Sequence, residues 1–349
     1  MSFVLNQVIG NYQCLGIVDR PRAGVTYKVR NLNTGEIEAL RALPGSVSRD
    51  PDSAERLMRE IRIQARLAHP NVQAFHDAFE VEGCMVMTTE YVEAPTLAQL
   101  CHRGPLPPGF AIGTILQVLD GLEEAHALGI VHRGIIPEHV MILPTGAVKL
   151  GGFDLAKPVG DANLTRVGTV AGDPRYISPE QVMGSALDGR SDLYSVGILL
   201  FQALTGKLPF EGGNDFEVLA AQVGVQPPAP SKFNPAVSPA LDHIVLTALR
   251  KDPAERFANA KEFRIKLAGI PAPMQPTPML PVALRPAAPV MQTYRPPAPQ
   301  PLPQLQPIPE FHLLQSYQPK AQGVFPTQWV FCVLALMIGL GLISWVTMH

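Results

Sequence analysis

His132-Arg133-Gly134-Ile135-Ile136-Pro137-Glu138-His139 is the stretch on which the reading of the fold turns. Ala39-Leu40-Arg41, Glu60, His69-Pro70-Asn71 and Glu90-Tyr91-Val92 precede it in the chain. Gly152-Phe153-Asp154, Ser178-Pro179-Glu180-Gln181, Asp192-Leu193-Tyr194-Ser195-Val196-Gly197 and Asp252-Pro253-Ala254-Glu255-Arg256-Phe257 follow. Any one string is weak, and their order and spacing together carry the weight. Around them, alternation and β-branched content predict strands over residues 24–29, 36–43 and 84–91, with a turn at Thr34-Gly35. Residues 52–67 read as a helix, because Leu57, Ile61, Ala65 and Ala68 recur on one face. The remainder of this part is mainly helical, so a small sheet with one helix precedes a larger helical lobe.

The 349 residues leave room for one large domain and additions. A net charge of -2 argues against nucleic acid as the main partner. Cys14, Cys84, Cys101 and Cys332 lack ligand spacing and read as thiols in a reducing compartment, with no metal assigned to them. Residues 1–10 carry no signal-peptide pattern and read as a short extension. Residues 269–326 hold 16 of the 36 prolines and read as a Pro-rich linker. Residues 328–347 form a charge-free apolar run of about 30 Å as a helix, with Trp329 and Trp345 near its ends. The expectation is a transmembrane helix over 327–347. Lys320 and Arg295 precede it, which places the large N-terminal part in the cytoplasm as a single-pass, tail-anchored protein.

On the strings quoted above, residues 11–268 resemble a protein kinase domain of the bacterial Ser/Thr type. The resemblance implies an α+β, bilobal protein-kinase-like fold with a small β-rich N-lobe and a larger helical C-lobe. It also implies structural roles: Glu180 pairs with Arg256, Asp192 braces the loop that holds His132 and Arg133, Glu60 faces Arg41, and Phe153 packs beneath. Gly24, Arg41, Thr89 and Glu90 are the candidate nucleotide contacts. Arg133 is in the family a grip for a phosphorylated loop, which makes Thr165 and Thr169 candidate phosphosites; unmodified loop threonines are the plain alternative.

The sequence departs from the family at the working positions. Where the pattern has Asp, Lys and Asn in H-R-D-x-K-P-x-N, this chain has Gly134, Ile136 and His139. Gly152 stands at the Asp of Asp-Phe-Gly, with Asp154 two residues on. Matched on Gly24, Asp19 and Pro21 stand at two glycine positions of the phosphate loop, with a shifted alignment on Gly16 and a longer loop as the alternative; Arg41 stands at its lysine partner, and Asp173 at a usual threonine. So many changes in one site lead to the expectation of a membrane-tethered pseudokinase, not an enzyme. It would need no cofactor, bind ATP without magnesium if at all, and engage a protein partner such as an active kinase or its substrate. Two readings stay open beside it. One is an unconventional active Ser/Thr kinase using Arg41, Asp154 and a base such as Asp173 or His139. The other is a metal-independent nucleotide sensor.

Overall fold

Alternating burial builds the first lobe. Strands β1 (Val8–Ile9), β2 (Tyr12–Asp19), β3 (Val25–Asn31), β4 (Ile37–Ala42), β5 (Phe75–Val81) and β6 (Cys84–Glu90) join in the order β1-β2-β3-β4-β6-β5, each pair antiparallel. Tyr27 and Val29 on β3, Leu40 on β4 and Val86 on β6 share a buried face, as period-two side-chain alternation requires. Helix α1 (Pro51–Gln64) covers the sheet by setting Leu57 and Ile61 against Met87. The structure is a computed structural model describing residues 3–19, 24–42, 51–81, 83–160 and 172–271.

Three of the six strands match the expected runs, and three do not. Residues 3–10, expected as an extension, join the sheet through β1, and the buried Phe3 donates its N–H to Tyr27 Oη at 3.1 Å. β2 is irregular in register on either side of Gly16, and β5 carries His76, Asp77 and Glu80 on a largely solvated edge, so neither shows clean alternation.

The second lobe comprises α2 (Leu97–Cys101), α3 (Pro108–Ala127), α4 (Pro179–Val182), α5 (Gly189–Thr205), α6 (Asp215–Gly224), α7 (Pro239–Ala248) and α8 (Ala260–Ala268). α5 is buried on nearly all sides, packing on α3, α7 and α8 as its apolar residues demand. Asp188 caps its start by accepting from the Arg190 N–H, and Gly206 ends it at φ 68°. Two short ribbons, β7 (Ile130–Val131) with β10 (Lys157–Pro158) and β8 (Val140–Ile142) with β9 (Val148–Leu150), set residues 132–139 beside residues 151–156.

Pro21, Thr165, Thr169 and Cys332, nearly all of the linker at 269–326 and the span at 327–347 lie outside the described residues. Among the described residues no helix is long and apolar enough to cross a membrane.

A buried ion pair ties α4 to the segment before α8. Arg256 donates from Nη1 and Nη2 to the two Glu180 oxygens at 2.7 and 2.8 Å, and Ser191 Oγ adds a bond of 2.7 Å. Arg256 also donates to the carbonyls of Arg190, Arg250 and Lys251. Burial alone would raise the pKa of Glu180, but these donors hold it below the usual carboxylate range. Glu180→Ala strands the guanidinium and is expected to cost about 3 to 5 kcal/mol in chemical denaturation. A loss under about 1 kcal/mol would show the pair to be worth no more than a surface one.

Candidate functional site

The cleft between the lobes is built from three pieces: β4 with α1, the 132–139 loop, and the 151–156 turn. Arg41 lies on β4 between Thr26 of β3 and Met87 of β6, so its backbone is fixed on both sides. Its Nη1 reaches Glu60 Oε1 at 2.7 Å and Oε2 at 2.9 Å, and Gln64 Nε2 donates to Oε1 at 3.1 Å. Arg41 Nε is buried without a hydrogen-bond partner among the described residues, and the Gly24 backbone lies over it. A Cβ on Gly24 would stand 3.7 Å from that nitrogen and 3.0 Å from the Ala42 carbonyl. A buried unmet donor beside a glycine suits an anionic oxygen.

The loop is held from below by Asp192. Its carboxylate accepts the N–H groups of His132 and Arg133, both at 2.8 Å, and a bond from His126 Nε2 at 2.8 Å. Burial would raise its pKa, but these donors keep it below the usual range. Arg133 takes a left-handed φ of 64°, a conformation that costs a non-glycine residue about 1 to 2 kcal/mol. Bonds at both ends of the residue hold it there, since Gln181 Nε2 donates to its carbonyl at 3.1 Å.

His132 joins the loop to the turn. Its Nε2 donates to the Gly151 carbonyl at 3.0 Å, Nδ1 accepts the Gly134 N–H at 3.3 Å, and the ring packs on Phe153 with centroids 4.3 Å apart. Burial pushes its pKa down to about 4, so the ring is neutral at physiological pH, in keeping with that bonding pattern.

The two glycines of the site differ in kind. A Cβ on Gly134 would find Leu155 Cδ1 at 3.5 Å and the Gly152 carbonyl at 3.6 Å, which is ordinary contact. A Cβ on Gly152, where φ is 79°, would lie 2.1 to 2.4 Å from three ring atoms of His139. That ring is fastened by Nδ1 to the Gly134 carbonyl at 2.8 Å. A carbonyl only accepts, so Nδ1 carries the proton and Nε2 keeps the lone pair in the neutral ring. The family's magnesium site would need residues 139 and 152 as oxygen ligands. These residues do not fit it, because imidazole fills the volume a residue-152 carboxylate would take. Among the described residues no three His, Cys, Asp or Glu side chains gather as a metal site.

Asp154 lies near enough to Glu60 and His132 to act on both electrostatically. Asp173 is engaged elsewhere, in a forked pair with Arg175 Nε at 2.9 and 3.1 Å. Thr89 and Glu90 sit at the hinge, braced by a residue the sequence reading missed. Gln73 Nε2 donates to the Glu90 carbonyl at 2.7 Å and to Thr89 Oγ1 at 3.3 Å. An isolated Gln near a strand start gives no pattern by which to find it. Ile136 is partly buried against the apolar core, and Glu180 and Arg256 belong to the support beneath the cleft.

Burial lifts the Glu60 carboxyl to about 7 against the pull of Arg41, and the Asp154 charge adds to the rise. A carboxyl raised above its unfolded value contributes stability that is complete below about pH 4.5 and lost as pH climbs through about 7. The melting temperature should therefore fall more steeply over that window in the wild type than in Glu60→Gln. Parallel curves would remove Glu60 as the source.

Residues 14–265 match the family model described as protein kinase domain. A probable serine/threonine-protein kinase of Streptomyces coelicolor is 37% identical over 265 residues, covering 74% of this chain and 39% of the relative. Serine/threonine-protein kinase pkn3 of Myxococcus xanthus is 34% identical over 281 residues, covering 77% and 51%. The chain thus spans about half or less of the length of these curated relatives. The crystal structure of the Mycobacterium tuberculosis PknI kinase domain superposes with a TM-score of 0.60 at 25% identity, covering 77% of this chain and 99% of that one. These kinase-named relatives overturn the expectation of a pseudokinase that is not an enzyme. Exchanged residues do not by themselves abolish transfer, because phosphoryl transfer rests mainly on positioning and electrostatics. On the match to its model and the order of its motifs, the chain belongs to the protein kinase domain family, among relatives of the bacterial Ser/Thr type.

Proposed function

We propose that this chain is a Ser/Thr protein kinase that transfers the ATP γ-phosphoryl group to a protein hydroxyl through an altered site. The observation that carries this reading is the Arg41–Glu60 pair, formed at 2.7 and 2.9 Å with Arg41 Nε unmet among the described residues and lying beside Gly24. Arg41 supplies the positive charge for the phosphates, and Glu60 and Gln64 hold it in place. Guanidinium keeps its charge at any working pH and offers more than one donor.

The hydroxyl oxygen bonds to the γ-phosphorus while the bond to the β–γ bridging oxygen breaks, and ADP leaves with that electron pair. The hydroxyl proton passes to His139 Nε2, the nitrogen left basic by the Nδ1 bond to Gly134. Asp173 is the poorer acceptor, since its two oxygens are taken up by Arg175. A missing or weak general base lowers the rate by about 10² to 10⁴ and leaves the rest of the catalysis in place.

The remaining features fit a tethered kinase. The apolar run at 327–347 would anchor the chain in a membrane, with the kinase domain cytoplasmic and residues 269–326 as spacer. By the family resemblance, a phosphate on Thr165 or Thr169 would be gripped by Arg133.

The test is transfer of radiolabel from γ-labelled ATP to a generic protein substrate. Arg41→Ala should lower the rate by about 10² to 10³, as for loss of one charge-stabilising donor. Because a Cβ at residue 134 meets only ordinary contacts, Gly134→Asp should raise the rate by about 10² to 10⁴. Absence of transfer by both the wild type and Gly134→Asp would overturn the reading.

A further inference from the structure

We infer that His139 and Gly152 form a steric interlock that makes ATP binding in this cleft independent of magnesium. The inference rests on the reading that ATP occupies the cleft. A Cβ at residue 152 would lie 2.1 Å from His139 Nδ1, 2.3 Å from Cγ and 2.4 Å from Cε1, so no side chain larger than hydrogen coexists with the ring as placed. The left-handed φ of 79° at residue 152 selects glycine a second time.

The ring has little freedom to withdraw. Nδ1 is bonded to the Gly134 carbonyl at 2.8 Å, the His139 N–H donates to the Ile136 carbonyl at 3.1 Å, and the His139 carbonyl accepts from the Gly151 N–H at 2.9 Å. The backbone is thus pinned on both sides of the contact. The neighbouring His132 ring, centroid 6.4 Å away, is itself held between Gly151 and Phe153. Residue 152 cannot gain a side chain unless the His139 ring is exchanged.

The chemistry follows from what the ring replaces. Two oxygen ligands at 139 and 152 would offer magnesium the donors it prefers, whereas an imidazole stacked over a bare Cα offers one nitrogen donor at most. The nearby carboxylate, Asp154, acts on Glu60 and His132, two groups of the cleft wall. Phosphate charge in this cleft therefore falls to Arg41, whose guanidinium needs no metal to meet it.

Isothermal titration of the full chain with ATP, once in magnesium and once in EDTA, tests the interlock. The two affinities should agree within about threefold, a difference below 1 kcal/mol. The double variant His139→Asn with Gly152→Asp should bind ATP at least about tenfold more tightly in magnesium than in EDTA. Gly152→Asp alone should lower the melting temperature and show no such gain. Wild-type binding that is at least about tenfold tighter in magnesium would overturn the interlock, whether or not the variants fold. Failure to bind ATP in either buffer would overturn it as well. Running the label-transfer assay alongside separates the two claims. Metal-independent binding without transfer keeps the interlock and removes the kinase reading, and transfer with magnesium-dependent binding does the reverse.

Discussion

The buried Asp192 carboxylate is the constraint on which the site depends. It sits at the start of α5, the helix at the centre of the C-lobe core, and it accepts from His126 and from the backbone N–H groups of His132 and Arg133. Through these bonds a rigid helix dictates the backbone path of the loop. Arg133 is forced into a left-handed conformation, and the chain direction after it sets where residues 134 to 139 run. His132 then carries the constraint across to Gly151 and Phe153, so the loop and the turn are tied together. Removing the reactive side chains from such a frame does not release the frame, because none of these bonds passes through the side chains of residues 134, 136 or 152.

That separation explains what was legible in the sequence. Glu180, Asp192 and Arg256 are recognisable because a buried charge needs a fixed partner at a fixed place, and their spacing in the chain preserves it. β3 is recognisable because its burial alternates, and β4 and β6 because they are buried over nearly continuous runs. β1, β2 and β5 were missed for the converse reason. β1 spans two residues, β2 is interrupted near Gly16, and β5 lies at an edge where polar residues are tolerated. Gln73 was missed because its function is a single pair of side-chain bonds to the hinge, with no periodicity to betray it.

The glycines mark the limit of such reading. In sequence, Gly134 and Gly152 look like two instances of one event, the loss of a carboxylate. In the structure they are different: residue 134 has room for a Cβ, and residue 152 has none while His139 stays. Whether a glycine is an absence or a requirement depends on what fills the space beside it, and that depends on a residue thirteen positions away in the chain. Exchanged motifs could not by themselves decide between a non-catalytic binding module and a kinase with rearranged chemistry.

The cleft also concentrates charge in a way that bears on how it handles an anion. Arg41 faces a Glu60 that burial makes reluctant to ionise, with the Asp154 carboxylate close by and a neutral His132 in the loop below. A Glu60 carboxyl near its titration point at neutral pH neutralises Arg41 only in part, and the remaining positive charge extends to Arg41 Nε, which has no hydrogen-bond partner among the described residues. An incoming phosphate competes directly with Glu60 for the guanidinium. Its arrival favours the protonated carboxyl, since the acid then keeps a hydrogen-bonding role without a second negative charge beside Asp154. On the proposed reading, nucleotide binding in this cleft would be coupled to proton uptake at Glu60, through the same ion pair that holds α1 against the sheet.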